Sequence, residues 1–217
     1  AKPSKPDAAP LSAKSIKNIH GVLHKALKQA VLIGYLRTNP TEACILPRII
    51  RKEMHPLEED QVAVFLREVQ GHPHEYLYKI ALFTGLREGE VLGLGWEHID
   101  LENGILTVKR QLRREQKKGG EYYFSPPKNN KSRCLTLAPS VIQLFRLQKL
   151  EQNSMRMEAG DAWEEHGLIF TNQTGGYLSY RTVYDCFKRI IRNIGAPATR
   201  FHDLRHTFAV ASIKKRQ

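Results

Sequence analysis

Phe83-Thr84-Gly85-Leu86-Arg87-Glu88-Gly89-Glu90-Val91-Leu92-Gly93-Leu94-Gly95-Trp96 is the stretch on which the reading of this chain turns. A glycine-containing turn delivers Arg87 to the start of a helix, and Glu90 follows one helical turn later. A guanidinium offers a planar fork of donors suited to phosphate oxygens, and a carboxylate at that spacing can hold the fork still. The alternative is an ordinary surface ion pair, common on helices and usually solvated.

Further along, Phe201-His202-Asp203-Leu204-Arg205-His206-Thr207-Phe208 has the same flavour. On a helix His202, Arg205 and His206 share one face, while Leu204 and Phe208 share another. A phosphate set against the polar face would meet a guanidinium and an imidazole together, which suits charge building up on a pentavalent phosphorus. A core histidine beside a surface arginine is the competing reading. Between the two motifs runs a basic band. From Lys109 to Arg133 nine Lys or Arg stand against Glu115 and Glu121. Lys109, Arg110, Arg113, Arg114, Lys117, Lys118, Lys131 and Arg133 are candidates to lie along a duplex backbone. Lys128 is placed at the expected tip of a hairpin, where a flexible ammonium could protonate a leaving oxygen. An ordinary solvated hairpin is the other possibility. Arg200, just ahead of the second motif, joins the candidate DNA contacts.

The surrounding pattern predicts a mostly helical α+β domain with a small three-stranded antiparallel sheet. Helices are expected over 57–69, 75–84, 88–95, 180–194 and 203–213, with a long one after Pro139. Strands are expected at 105–109, 122–124 and 133–137, the last two joined by the Pro126-Pro127 connection, with a short strand at 168–170. Towards the amino terminus, Ile16, Ile19, Leu23, Leu27, Ala30, Val31 and Gly34 recur at helical spacing from Ser12 to Leu36, and Asn39-Pro40 closes the segment. Lys14, Lys17, Lys25 and Lys28 give that helix a basic outer face. It has too little company to bury its stripe alone. Residues 1–12 resemble a linker, and the charged run ending at His55 places a boundary near residue 53, giving units 1–53 and 54–217.

Composition agrees with a globular protein: 217 residues, 41% hydrophobic and 26% charged. The net charge of +12 and pI near 9.7 favour a polyanionic partner, either nucleic acid or an anionic membrane surface. The longest apolar run is only Ala30–Ile33, too short to span a membrane or serve as a signal peptide, so a cytoplasmic protein is expected. Cys44, Cys134 and Cys186 are widely spaced and are expected to be small buried hydrophobes. No paired-carboxylate or His/Cys cluster at metal-ligand spacing appears, and no phosphate-binding glycine loop ending in Gly-Lys-Ser/Thr.

Taken in order, Thr84–Leu94, the basic segment containing Pro-Lys-Asn-Asn-Lys-Ser-Arg and His202–Phe208 resemble the tyrosine recombinases, most closely the integrases of phages and conjugative transposons. The similarity covers residues 57–213. Residues 12–40 are similar, more weakly, to the second half of that family's helical DNA-clamping core-binding domain. The resemblance implies that Arg87 and Arg205 clamp the scissile phosphate, that His202 bonds it and assists proton transfer, and that Lys128 donates a proton to the departing 5′ oxygen. Glu90 matches the family's supporting acid, and His206 is placed behind the phosphate-contacting groups. It also implies a double-stranded DNA partner, a homo-oligomer on DNA (a tetramer for the parent, a dimer or monomer for this chain), bacterial cytosol, and neither metal nor other cofactor. The family's nucleophilic tyrosine follows its second arginine. All eight tyrosines here precede Arg205. The chain is therefore expected to be a fragment that binds DNA without cutting it, its parent integrating and excising a mobile element through a 3′-phosphotyrosyl intermediate. A non-catalytic DNA-binding or architectural protein on the same scaffold is the alternative, and a magnesium-dependent nuclease a third class.

Overall fold

The computed structural model describes residues 10–50, 54–117 and 119–214. Residues 1–9 of the expected linker, residues 51–53, Lys118 and residues 215–217 lie outside them. The chain packs as two units, Ala1–Glu53 and Met54–Gln217.

The first unit is one helix and a turn. Helix α1 spans Ala13–Leu32, and Ser12 caps it by accepting the Ser15 backbone N–H at 3.1 Å. It stops short of Leu36 because Gly34, which the spacing assigns to the apolar stripe, takes φ +83° and ends the helix instead. No residue of α1 is buried, and Ile19 and Leu23 stand about half exposed. Asn39 starts a single turn of 3₁₀ helix, Pro40–Ala43, and its side chain accepts from the backbone N–H and the hydroxyl of Thr41. His24 reaches the Thr41 hydroxyl from α1 at 2.9 Å, so the Asn-Pro turn is tied to the helix before it.

The second unit is α+β and mostly helical, as expected. Its helices are α2 (Glu59–Glu68), α3 (Glu75–Thr84), α4 (Glu88–Leu92), α5 (Pro139–Ala159), α6 (Tyr180–Asn193) and α7 (Phe201–Lys214). Phe65, Tyr78, Phe187 and Phe201 bring α2, α3, α6 and α7 to one aromatic centre, with ring centroids 5.4–6.4 Å apart. The Tyr78 hydroxyl is satisfied there, donating to the Val183 carbonyl at 2.8 Å. Buried aromatic rings carry large apolar area each, and deleting one costs about 3–5 kcal/mol.

The strands are β1 (Ile99–Asp100), β2 (Ile105–Val108), β3 (Gln111–Arg114), β4 (Tyr122–Ser125) and β5 (Arg133–Thr136). A three-stranded antiparallel sheet is present, but its membership differs from the sequence expectation. Its order is β1-β2-β5, with Leu106 facing Leu135, whereas β4 pairs with β3 in a separate hairpin, Leu112 facing Phe124. β3 reads Gln-Leu-Arg-Arg, with a single apolar residue and no alternation to announce it. Residues 168–170 form no strand element; Leu168 makes one bridge to Gly95, and Ile169 donates to the Leu94 carbonyl. Helix α4 ends at Leu92 rather than residue 95 because Gly93 lies under the hairpin, where a β-carbon would stand 2.7 Å from the Leu112 nitrogen. The cysteine expectation is also corrected. Cys44 and Cys134 are exposed and Cys186 is half-buried, Cys134 because it falls on the outward side of β5.

Candidate functional site

Helix α3 ends where the chain must turn sharply. Gly85 takes φ +61°, and the ring of Phe208 lies so close that a β-carbon there would stand 2.6 Å from it. Glycine alone meets both demands. Leu86 is then buried, and Arg87 occupies the N-cap of α4 with extended backbone. From there its backbone N–H donates to Oε2 of Glu90 at 2.9 Å and its Nη1 to Oε1 at 2.8 Å.

Glu90 is 1% exposed, and a second arginine completes its coordination. Arg133, the first residue of β5, donates Nη1 to Oε1 at 2.9 Å and Nη2 to Oε2 at 2.7 Å. Burial pushes the Glu90 carboxyl up, but the hydrogen bonds from Arg133 and Arg87 and the charge of Arg133 outweigh it and hold it down at about 2. Glu90 is thus an anion at any working pH.

Helix α7 starts by the same device. Arg200 donates its backbone N–H and Nε to Oδ2 of Asp203, both at 2.9 Å, and Nη2 to Oδ1 at 2.8 Å. Asp203 is wholly buried. The hydroxyl of buried Thr207 accepts the Leu57 N–H at 2.9 Å and donates to the Asp203 carbonyl at 3.0 Å. Thr199 donates to the His55 carbonyl at 3.0 Å. These contacts fix the rotation of α7. They leave Arg205 and His206 half-buried and His202 open to solvent along one edge. Leu204 is buried as expected, whereas Phe208 is 36% exposed because its ring lies over the Gly85 turn rather than in the core.

The two motifs meet at that turn. Arg205 donates Nη1 to the Gly85 carbonyl at 2.6 Å, two residues before Arg87. Its proton affinity is lowered by burial and by the nearby charges of Arg87 and Arg133, with Glu90 opposing. His202 is likewise held below the ordinary imidazole value, first by partial burial and then by His206, Arg205 and Arg87, with Asp203 opposing. The rings of His202 and His206 meet edge to face at 5.1 Å. Arg87, Glu90, Arg133, His202 and Arg205 therefore act on one place. Three guanidiniums stand there against one carboxylate, and the surplus positive charge is what an anion would neutralise.

Other candidates fare differently. Lys128 is exposed on a single turn of 3₁₀ helix, Lys128–Asn130, between β4 and β5, and makes no ion pair among the described residues. Arg110 is engaged by the Gly93 carbonyl and Glu97 and lies 4.0 Å from the centre of the Phe124 ring. Arg114 donates to the Gly120 carbonyl and lies over Tyr122. Lys117 pairs with Glu115, and Arg200 with Asp203. Lys109, Arg113 and Lys131 are exposed and form no ion pair among the described residues. In the first unit Lys14, Lys25 and Lys28 are exposed and Lys17 is half-buried. Among the described residues no group of three His, Cys, Asp or Glu is placed to hold a metal ion. A groove of about 1130 Å³ lies elsewhere, lined by Tyr76, Leu147, Leu150, Glu151 and Phe170, and contains none of the site residues.

Two residues that shape the site, Arg133 and Asp203, were not assigned that part from the sequence. Arg133 is legible as a basic strand residue but not as the partner of Glu90. Asp203 had a usable signal, since Arg200 and Asp203 repeat the three-residue offset of Arg87 and Glu90.

Comparison with known proteins places this geometry in context. The profile of the phage integrase family matches residues 55–216. The chain is 28% identical over 214 residues to a "Tyrosine recombinase XerC-like" protein of Caldanaerobacter subterraneus subsp. tengcongensis, covering 91% of this chain and 55% of that protein. It is also 28% identical over 215 residues to an "Integrase" of Streptomyces ambofaciens, covering 93% of this chain and 53% of the relative. It thus spans about half the length of these curated relatives. Among solved structures, the Tn1549 transposon integrase in complex with transposon right end DNA superposes with a TM-score of 0.79 at 24% identity, covering 95% of this chain and 69% of that one. No described helix is long and apolar enough to cross a membrane.

Proposed function

The chain belongs to the phage integrase family, and from that premise we propose that residues 54–217 are the phosphate-holding part of an enzyme that breaks and rejoins double-stranded DNA at specific sites. The convergence of Arg87 and Arg205 on one turn, from helices far apart in sequence, carries this reading. Their donors hold the non-bridging oxygens of the scissile phosphodiester and stabilise the charge that builds up on pentavalent phosphorus. His202, whose proton affinity is lowered first by partial burial and then by its cationic neighbours, bonds a phosphate oxygen and can take up or release a proton as that charge grows. Lys128, on its exposed turn, is the proton donor to the departing 5′ oxygen. His206 supports His202 from behind.

The attacking group is a tyrosine hydroxyl, which gives a 3′-phosphotyrosyl link that a partner strand's 5′ hydroxyl later reverses. No tyrosine follows Arg205 in this sequence, and Tyr177 and Tyr180 have structural work. Tyr180 donates to the Leu112 carbonyl, and its hydroxyl is pushed up to about 12, chiefly by burial, while Tyr177 stacks on Tyr122 and His166. The nucleophile is accordingly assigned to a residue outside this sequence. Residues 1–53 are assigned to a partial DNA clamp and linker, with Lys14, Lys17, Lys25 and Lys28 toward the backbone. The working form is a homo-oligomer on DNA, in the cytoplasm of a bacterium, and the parent moves a mobile element.

The test uses the protein encoded by the complete gene and a nicked suicide duplex carrying its site. A covalent protein–DNA adduct is expected, and Arg205→Ala should abolish it. Undiminished adduct in that variant refutes the assignment. DNA binding with no adduct from the unaltered protein would favour a non-catalytic, architectural role.

A further inference from the structure

Glu90 receives four hydrogen bonds, and their distribution is uneven. Arg87 contributes its backbone N–H and a single side-chain donor, whereas the two-pronged contact comes from Arg133. Paired donors on a carboxylate are the strongest form of this interaction. Without Arg133, the same buried carboxylate could draw Arg87 into the two-pronged contact, and the donors Arg87 now directs elsewhere would be lost to any phosphate. The removal would also leave the local charge less positive by one unit. Arg133 has a second attachment, because it opens β5 immediately after the segment that carries Lys128 and pairs with Val108 of β2. Its grip on Glu90 therefore ties the start of β5 to α4.

We infer that Arg133 is a positioning residue: by holding Glu90 with its own fork it keeps the remaining donors of Arg87 available to a phosphate and anchors the end of the Lys128 segment beside them. This rests on the phosphate-clamp reading above. It predicts that the damage done by removing Arg133 is caused by the stranded Glu90 charge and not by lost packing.

The experiment titrates the purified chain with inorganic phosphate, following the ring resonances of His202, alongside the thermal unfolding of each variant. Arg133→Ala should weaken phosphate binding about tenfold, the scale of a charge-assisted hydrogen bond. Arg133→Lys, which keeps the charge without the fork, should fall between that and wild type. The double variant Arg133→Ala/Glu90→Gln should recover to within about threefold of wild type, because no carboxylate remains to capture Arg87. Wild-type binding in Arg133→Ala overturns the inference, and so does a double variant no better than the single one. Should Arg133→Ala not fold, Arg133→Lys binding as tightly as wild type overturns it equally. Arg205→Ala separates the two levels. Loss of phosphate binding in Arg205→Ala but not in Arg133→Ala removes the positioning role alone, whereas undiminished binding in Arg205→Ala, or none in wild type, removes the clamp itself.

Discussion

Beside the arginine cluster, Glu88 has a buried carboxyl oxygen, Oε1, with no hydrogen-bond partner among the described residues. Burial pushes this group up to about 7, so the fold binds its proton more tightly than the unfolded chain does. The resulting contribution to stability is complete below the unfolded value of 4.5 and is lost as pH rises through about 7. Glu88→Gln should therefore stabilise the protein by about 2 kcal/mol at pH 8, allowing for partial exposure, and by almost nothing at pH 4. Urea unfolding at the two pH values checks this, and an equal gain at both would contradict it. His202 has the opposite sign. Its lowered proton affinity means the unfolded chain takes the proton first, so its contribution is present above the ordinary imidazole value and lost as pH falls. A bound phosphate would raise that affinity again and couple DNA binding to proton uptake. Affinity for duplex DNA should then tighten from pH 8 to pH 6 by about threefold more in wild type than in His202→Asn, as read by fluorescence anisotropy. At this scale the contact of Arg87 with Glu90 was legible, because a fixed helical offset states which side chains can touch, whereas the approach of Arg205 to the same turn came from the resemblance and from no offset. The contact of Arg133 was not legible, because strand alternation names a face and not the residue across from it.

At the scale of elements, the turn between α3 and α4 carries the tightest demand in the site. Gly85→Ala would place a methyl group against the Phe208 ring and force a left-handed backbone on a residue that resists it. A loss of about 1–3 kcal/mol is expected in chemical unfolding. Phosphate binding should weaken as well, since Arg205 holds the carbonyl of this same residue. Unchanged stability would show that the turn has slack the structure does not suggest. The helices were legible from their apolar period, and α3 runs over the residues that period marks. Pairing among the strands was less so. The Pro126-Pro127 connection invites the reading that β4 and β5 are partners, but the tight turn lies at Lys117–Gly120, where the Gly120 N–H bonds the Lys117 carbonyl and closes β3 onto β4. Nothing in Gln-Leu-Arg-Arg competes with that reading until the packing of Leu112 under Tyr180 and over Gly93 is known.

Across the whole molecule, a net charge of +12 favours a polyanionic partner, while the structure sorts the cations free to meet one. Log affinity for duplex DNA should fall by about 0.9 for each contacted phosphate per log unit of salt. Arg113→Ala should reduce that slope by about one and leave stability alone, because its side chain is exposed and forms no ion pair among the described residues. Arg110→Ala should do the reverse, lowering the urea midpoint with little change in slope, since its guanidinium serves Gly93, Glu97 and Phe124. Identical behaviour of the two variants would overturn the sorting. The bond from Arg205 to Gly85 spans 120 residues, and that from Leu57 to Thr207 spans 150. During translation, at about 5–20 residues per second, the first arginine leaves the ribosome many seconds before the second exists. A nascent chain can thus hold Arg87 in place and still lack the second guanidinium of the proposed clamp. On the proposed reading, a two-armed hold on a phosphate forms only once α7 has been made and has docked against the α3–α4 turn.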